Sequence, residues 1–160
     1  MKRTLVSVTV VVMAVLVSGV LLAQSNPFIG TWKLNTAKSK FNPGPGPQSR
    51  TLTYEAQAKG LKASSEGTAA DGTHTAFSYT ANYDGKDNPV SGTGTPGGAD
   101  TVALEHMSPN TIRSTWKKAG KVVHTGRSLV SKDGNVMTIR VRGTTANGQP
   151  ESDLMVWDKQ

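Results

Sequence analysis

Three histidines, His74, His106 and His124, and four arginines, Arg113, Arg127, Arg140 and Arg142, are the residues of this chain best suited to chemistry. Each histidine falls on a different predicted strand, and no two share the short spacing that brings metal ligands together. A metal site would need them to converge with Glu105 or Asp100, so no metal and no cofactor is expected. A Ser–His–acid set can be assembled from any chain with three histidines and carries no weight. No Gly-x-Ser-x-Gly occurs. The glycines of Ser91–Gly98 (SGTGTPGG) lack the Lys-Ser/Thr of a phosphate loop and do not link a strand to a helix. The chain therefore reads as a non-enzyme with no catalytic residue. An enzyme would have to use a barrel pocket holding His106 or Arg127.

Arg140 and Arg142 alternate with Met137, Ile139 and Val141. If that apolar row faces the core, both arginines face solvent. If the interior is wet, arginines could form an anion-binding wall, because guanidinium pairs bidentately with carboxylates. Arg127 shares its parity with Val123 and Leu129 and is the best candidate for an inward arginine. His106 shares a face with Val102 and Leu104 and is expected to be partly buried. Tyr54, Phe77, Tyr79, Tyr83 and Trp116 could line a small apolar cavity. The expected ligand-binding set is Tyr54, Phe77, Tyr79, His106, Trp116 and Arg127.

The elements that must position these residues are strands. After Ser25 no segment holds a helical period for three turns, whereas short alternating runs recur between turn residues. Strands are predicted over 28–34, 51–56, 61–69, 73–83, 100–107, 111–118, 121–131, 136–143 and 151–159. Phe77, Tyr79, Ala81 and Tyr83 fall on one face. Asp71-Gly72, Asp133-Gly134 and Asn147-Gly148 supply tight-turn chemistry. Asn42–Pro47 reads as a Pro-Gly connector, and 84–89 and Ser91–Gly98 as loops. Nearly every link is short enough for an antiparallel hairpin. Closing such a meander removes its exposed edges. The prediction is an all-β, antiparallel up-and-down barrel of eight to ten strands, with a β-sandwich as the alternative.

The 160-residue chain opens Met1-Lys2-Arg3, and no charge occurs from Leu5 to Ala23. A short basic segment, an apolar run and small residues at Ala23 and Ser25 read as a secretory signal peptide over 1–25. The alternative is an uncleaved anchor, since the run approaches the roughly 20 residues needed to span. One barrel domain over 26–160 remains, periplasmic or extracellular, with no membrane span after cleavage. Removing Lys2 and Arg3 takes the formal net charge from +7 to +5. The remaining charges are scattered, so no nucleic-acid arm is indicated. The chain has no cysteine, which excludes a lipid-modified cysteine and disulfides alike. An outer-membrane barrel needs a lipid-facing apolar band with aromatic girdles. The chain has only three each of Trp, Tyr and Phe, and exposes many Thr, Ser and Lys.

Phe28-Ile29-Gly30-Thr31-Trp32-Lys33-Leu34 resembles the opening strand of the calycin superfamily, which includes lipocalins and fatty-acid-binding proteins. That resemblance implies a barrel whose closed end is plugged by Trp32, with Gly30 permitting close packing. The longer run Gly30–Pro47 resembles a group of uncharacterised secreted bacterial proteins with a lipocalin-like domain. The segments Tyr83–Val90 and Ser131–Gly134 match that group as well. The chain departs from typical lipocalins in having no Thr-Asp-Tyr and no Arg near the last strand to stack on the Trp. It lacks the helical lid and Arg-x-Tyr of fatty-acid-binding proteins. The resemblance implies a small hydrophobic or amphipathic ligand in the barrel. The alternative is a filled barrel acting as an envelope structural or interaction module through Asn42–Pro47 and Ser91–Gly98.

Overall fold

The computed structural model describes residues 26–145 and 147–160; the expected signal peptide lies outside these residues. Among the described residues ten strands run in order: β1 (Gly30–Leu34), β2 (Ser49–Gln57), β3 (Gly60–Thr68), β4 (His74–Asn82) and β5 (Asn88–Gly92). They continue as β6 (Thr101–Ser108), β7 (Thr111–Lys118), β8 (Lys121–Val130), β9 (Val136–Thr144) and β10 (Pro150–Lys159). Each pairs antiparallel with the next, and β10 closes on β1 through Trp32–Lys159 and Leu34–Trp157. The result is a closed up-and-down barrel rather than a sandwich. A single 3₁₀ turn at Pro96–Gly98 is its one helical element among the described residues. No helix among them is long and apolar enough to cross a membrane.

Alternation builds the wall. On β4, Thr75, Phe77, Tyr79 and Ala81 are buried while the residues between them are exposed. The β7–β8 turn places Ala119 and Gly120 at φ of 48° and 76°, the left-handed pair a two-residue hairpin turn requires. One strand departs from expectation: β5 forms inside a stretch read as loop. It is five residues long and contains Pro89, which has no N–H for the ladder. Closure recruits it: Tyr79 pairs with Val90 on one side and Asn88 with Val102 on the other.

The two ends of the barrel differ. At one end gather the hairpins β2–β3, β4–β5, β6–β7 and β8–β9, with the start of β1. Phe28, Trp32, Leu61, Val130 and Met137 are fully buried there. The Trp32 indole donates to the Phe28 carbonyl at 2.8 Å. Lys159 lies over the Trp32 ring, its Nζ 4.9 Å from the centroid. Gly30, at φ 129°, leaves the space through which the Lys159 side chain passes, since a Cβ there would sit 3.0 Å from Lys159 Cε. A lysine on the last strand thus caps the tryptophan, in the place of the arginine typical of lipocalins. At the other end, the β1–β2, β3–β4, β5–β6, β7–β8 and β9–β10 connections surround a mouth.

Candidate functional site at the barrel mouth

The two stretches read as connectors converge at the mouth. Pro43, Pro45 and Pro47 from the β1–β2 connection face Gly94–Gly98 from the β5–β6 connection across a vestibule of about 290 Å³. Below it lies an inner cavity of about 80 Å³, lined by Tyr54, Phe77, Tyr79, Trp116 and Trp157. Arg50, Pro96, His124, Val141 and Met155 line both spaces and form the neck between them.

The inner cavity is small because aromatics cross it. Trp116 on β7 meets Phe77 and Tyr79 on β4 edge to face, at centroid distances of 5.9 and 5.5 Å and interplanar angles of 85° and 88°. These strands are three apart around the wall, so the contact spans the interior. Burial raises the pKa of Tyr54 and Tyr79 well above the ordinary phenol value, so both stay protonated.

Among the described residues, three buried side-chain polar atoms have no partner within the protein: Arg50 Nε, His124 Nδ1 and Trp157 Nε1. All three residues line the inner cavity. Native interiors leave few such atoms, and each calls for an explanation. Arg50 faces inward from the start of β2 with Leu52 and Tyr54. Burial lowers its pKa, but a guanidinium stays charged near neutrality. No carboxylate among the described residues lies within ion-pair distance of it. Trp157 Nε1 can only donate.

His124 is buried, 4% exposed. Its Nε2 is 2.9 Å from the Thr144 carbonyl and 2.9 Å from Glu151 Oε2. Both neighbours only accept, so Nε2 carries the hydrogen. In the neutral ring Nδ1 is then an acceptor; with a second proton it becomes a donor. Gly143, opposite His124 on β9, makes room for the ring: a Cβ there would lie 2.1 Å from His124 Cδ2. Asp153 stands two residues beyond Glu151 on the same face. Its pKa is raised to about 6, first by burial and then by the neighbouring Glu151 carboxylate. The Asn42 N–H, donating at 2.9 Å, and His124 pull the other way.

Of the residues expected at a ligand site, Tyr54, Phe77, Tyr79 and Trp116 are brought together around the inner cavity. His106 and Arg127 are not. His106 has the expected parity but the wrong height. By that point β6 has reached the closed end, where Phe28 fills the interior, so the ring lies exposed against Tyr83 at a centroid distance of 3.9 Å. Arg127 points outward. A bulge sets Trp116 opposite His124 but Lys117 opposite Val122, leaving Val123 unpaired. Val123 packs near Gly97, while His124, Gly126, Ser128 and Val130 form the inward row. Leu129, which shares the parity of Arg127, is 46% exposed. Arg140 and Arg142 are exposed, opposite the apolar row. No group of His, Asp and Glu residues able to hold a metal occurs among the described residues.

Sequence reasoning weighed His124 only as a metal ligand and missed Arg50, Glu151, Asp153 and Trp157. Arg50 two positions before Leu52 and four before Tyr54 carried a period-2 signal that could have found it.

No protein-family model matches the chain, and no curated protein does. Among solved structures it is similar to a redesigned β-barrel, mFAP1, bound to DFHBI, with 13% identity over 83% of this chain and 95% of that one and a TM-score of 0.48. It is also similar to zebrafish ileal bile acid-binding protein complexed with cholic acid, with 7% identity over 84% and 99% and a TM-score of 0.48.

Proposed function

We propose that this protein binds a small amphipathic molecule non-covalently at the barrel mouth, and acts as a carrier or sensor rather than an enzyme. The observation that carries the reading is the convergence of Arg50 Nε, Trp157 Nε1 and His124 Nδ1, unpartnered, on one cavity. Two of these are obligate donors, and one belongs to a part-buried cation. Their complement is an acceptor-rich or anionic group seated in the neck. An apolar tip fits among Phe77, Tyr79 and Trp116, and the remainder lies in the Pro-Gly vestibule. The two spaces together reach the lower end of the roughly 300–1,000 Å³ usual for ligand pockets. The N-terminal sequence supports export to the periplasm or beyond. The small inner cavity favours a second reading, a filled barrel that works through its mouth loops.

Titration with anilinonaphthalene sulfonate, an anionic aromatic dye, separates the two. Binding by the wild-type protein, weakened about 10- to 100-fold in Arg50→Met, is the expected result, since a hydrogen bond to a charged group contributes about 1.5–3 kcal/mol. Arg50→Met should fold about as stably as wild type, because it replaces a part-buried charge that has no ion-pair partner with an apolar side chain. No dye binding, or equal binding by both proteins, would favour the filled barrel.

A further inference from the structure

The outer wall formed by β7, β8 and β9 carries charge in an arrangement that sheet energetics disfavour. Arg113 stands directly opposite Arg127, and Arg127 directly opposite Arg140. Three guanidinium side chains thus form a row across three adjacent strands that lie about 4.8 Å apart. Like charges directly opposite each other destabilise a strand pair. Glu105 relieves one end, accepting from Arg113 Nε at 2.8 Å. Beyond the other end, Leu154 opposes Arg140 and Lys40 opposes Leu154, so the next charge along is again positive. Among the described residues no carboxylate lies within ion-pair distance of Arg127, Arg140 or Arg142. Arg142, two residues along β9, stands opposite Thr125. With Met107, which is 53% exposed, these side chains bound an open groove of about 400 Å³.

We propose that this groove binds a small multivalent phosphate anion across Arg113, Arg127, Arg140 and Arg142. Guanidinium groups take phosphate oxygens bidentately, and this pairing removes the repulsion along the row. A single phosphate reaches one or two of the arginines. A chain of two or three phosphoryl groups spans the row and brings enough negative charge to neutralise it. A carboxylate supplies one charge and two oxygens, where a phosphoryl group supplies up to two charges and three oxygens. The groove lies outside the wall whose inner side faces the barrel cavity, so it is independent of the ligand site at the mouth.

Calorimetric titration of the whole protein with sodium tripolyphosphate tests this at about 20 mM salt, where exposed charges are little screened. Arg127→Gln combined with Arg140→Gln should weaken binding at least about tenfold. The same pair should melt at or above the wild-type temperature, since it relieves like-charge contacts. The control, Lys33→Gln with Lys59→Gln, removes two exposed cations elsewhere and should leave binding within about twofold. Equal weakening in the two double variants would show that net charge alone attracts the anion and would overturn the proposal. So would inorganic phosphate binding as tightly as tripolyphosphate. Adsorption to vesicles of anionic phospholipid without any tripolyphosphate binding would also overturn it, by identifying the wall as a membrane-facing surface.

Discussion

Replacing Asp153 by Asn tests the electrostatics of the mouth directly. The Asp153 carboxyl is raised from 3.8 to about 6 by burial and by Glu151. An acid whose pKa is raised on folding contributes stability while protonated in both states, below its unfolded value. That contribution is lost as pH rises through the folded value, about 6 here. At pH 7.5 the wild-type protein therefore holds an ionised carboxylate that the fold disfavours. Each pKa unit corresponds to about 1.4 kcal/mol, so the full shift would amount to about 3 kcal/mol. Asp153 is only half buried, and solvent screening reduces this to about 1 kcal/mol. Asn is neutral at every pH and keeps a side-chain oxygen for the Asn42 N–H. Asp153→Asn should thus gain about 1 kcal/mol at pH 7.5, or about 3–5 °C in Tm for a domain of this size. At pH 4 the two proteins should agree within a few tenths of a kcal/mol. Urea unfolding of both proteins from pH 4 to pH 8 measures the difference. A gap that does not change with pH, or a variant less stable than wild type at pH 7.5, would refute the reasoning.

Two further substitutions test the frame that holds the site. A Cβ at Gly60 would lie 1.9 Å from the Ala81 carbonyl oxygen and 2.6 Å from the Asn82 Cα, both backbone. Gly60→Ala should therefore cost about 2–3 kcal/mol in urea unfolding, because one of the β3 and β4 backbones must shift. Met137 is fully buried at the closed end and does not line the cavity. Met137→Ala should cost about 2–4 kcal/mol yet leave the dye affinity of the surviving folded protein unchanged.

The fold was largely legible because its signals are local. The alternation on β4 and the Asp-Gly and Asn-Gly turns are read within a few residues, and hairpin-length links leave few topologies open. β5 was not legible, because Pro89 and the flanking glycines mask it and its pairing follows from closure. The aromatic part of the site was legible for the same reason as the strands: Tyr54, Phe77, Tyr79 and Trp116 follow period 2. The polar part depends on register between strands. His124 faces inward only because the bulge leaves Val123 unpaired, and its ring fits only because Gly143 stands opposite. Leu154-Met155-Val156-Trp157 is continuously apolar, so it does not show which residues of β10 face inward, and Glu151 and Asp153 inherit that ambiguity. An apolar-row rule also assumes an apolar interior, and the inward row of β8 is His, Gly, Ser and Val.

The unequal ends of the barrel explain how such a mouth can persist. Buried nitrogens without partners cost about 1–3 kcal/mol each. Those penalties are comparable to the whole stability of a small domain, about 5–15 kcal/mol. They are tolerable because the opposite end is densely apolar, with Phe28, Trp32, Leu61, Val130 and Met137 fully buried and the Trp32 indole N–H satisfied by Phe28. Full burial of such side chains contributes about 1.5–3 kcal/mol apiece. Structural need alone would favour an apolar residue at position 50, since the neighbouring inward positions, Leu52 and Tyr54, are already apolar or aromatic. An arginine there lowers stability, and a ligand whose acceptors meet its Nε would recover part of the loss. The same argument extends to Asp153, where a neutral side chain would hold the Asn42 N–H equally well. Arg50 and Asp153 both line the mouth, which supports the proposed placement of the ligand there.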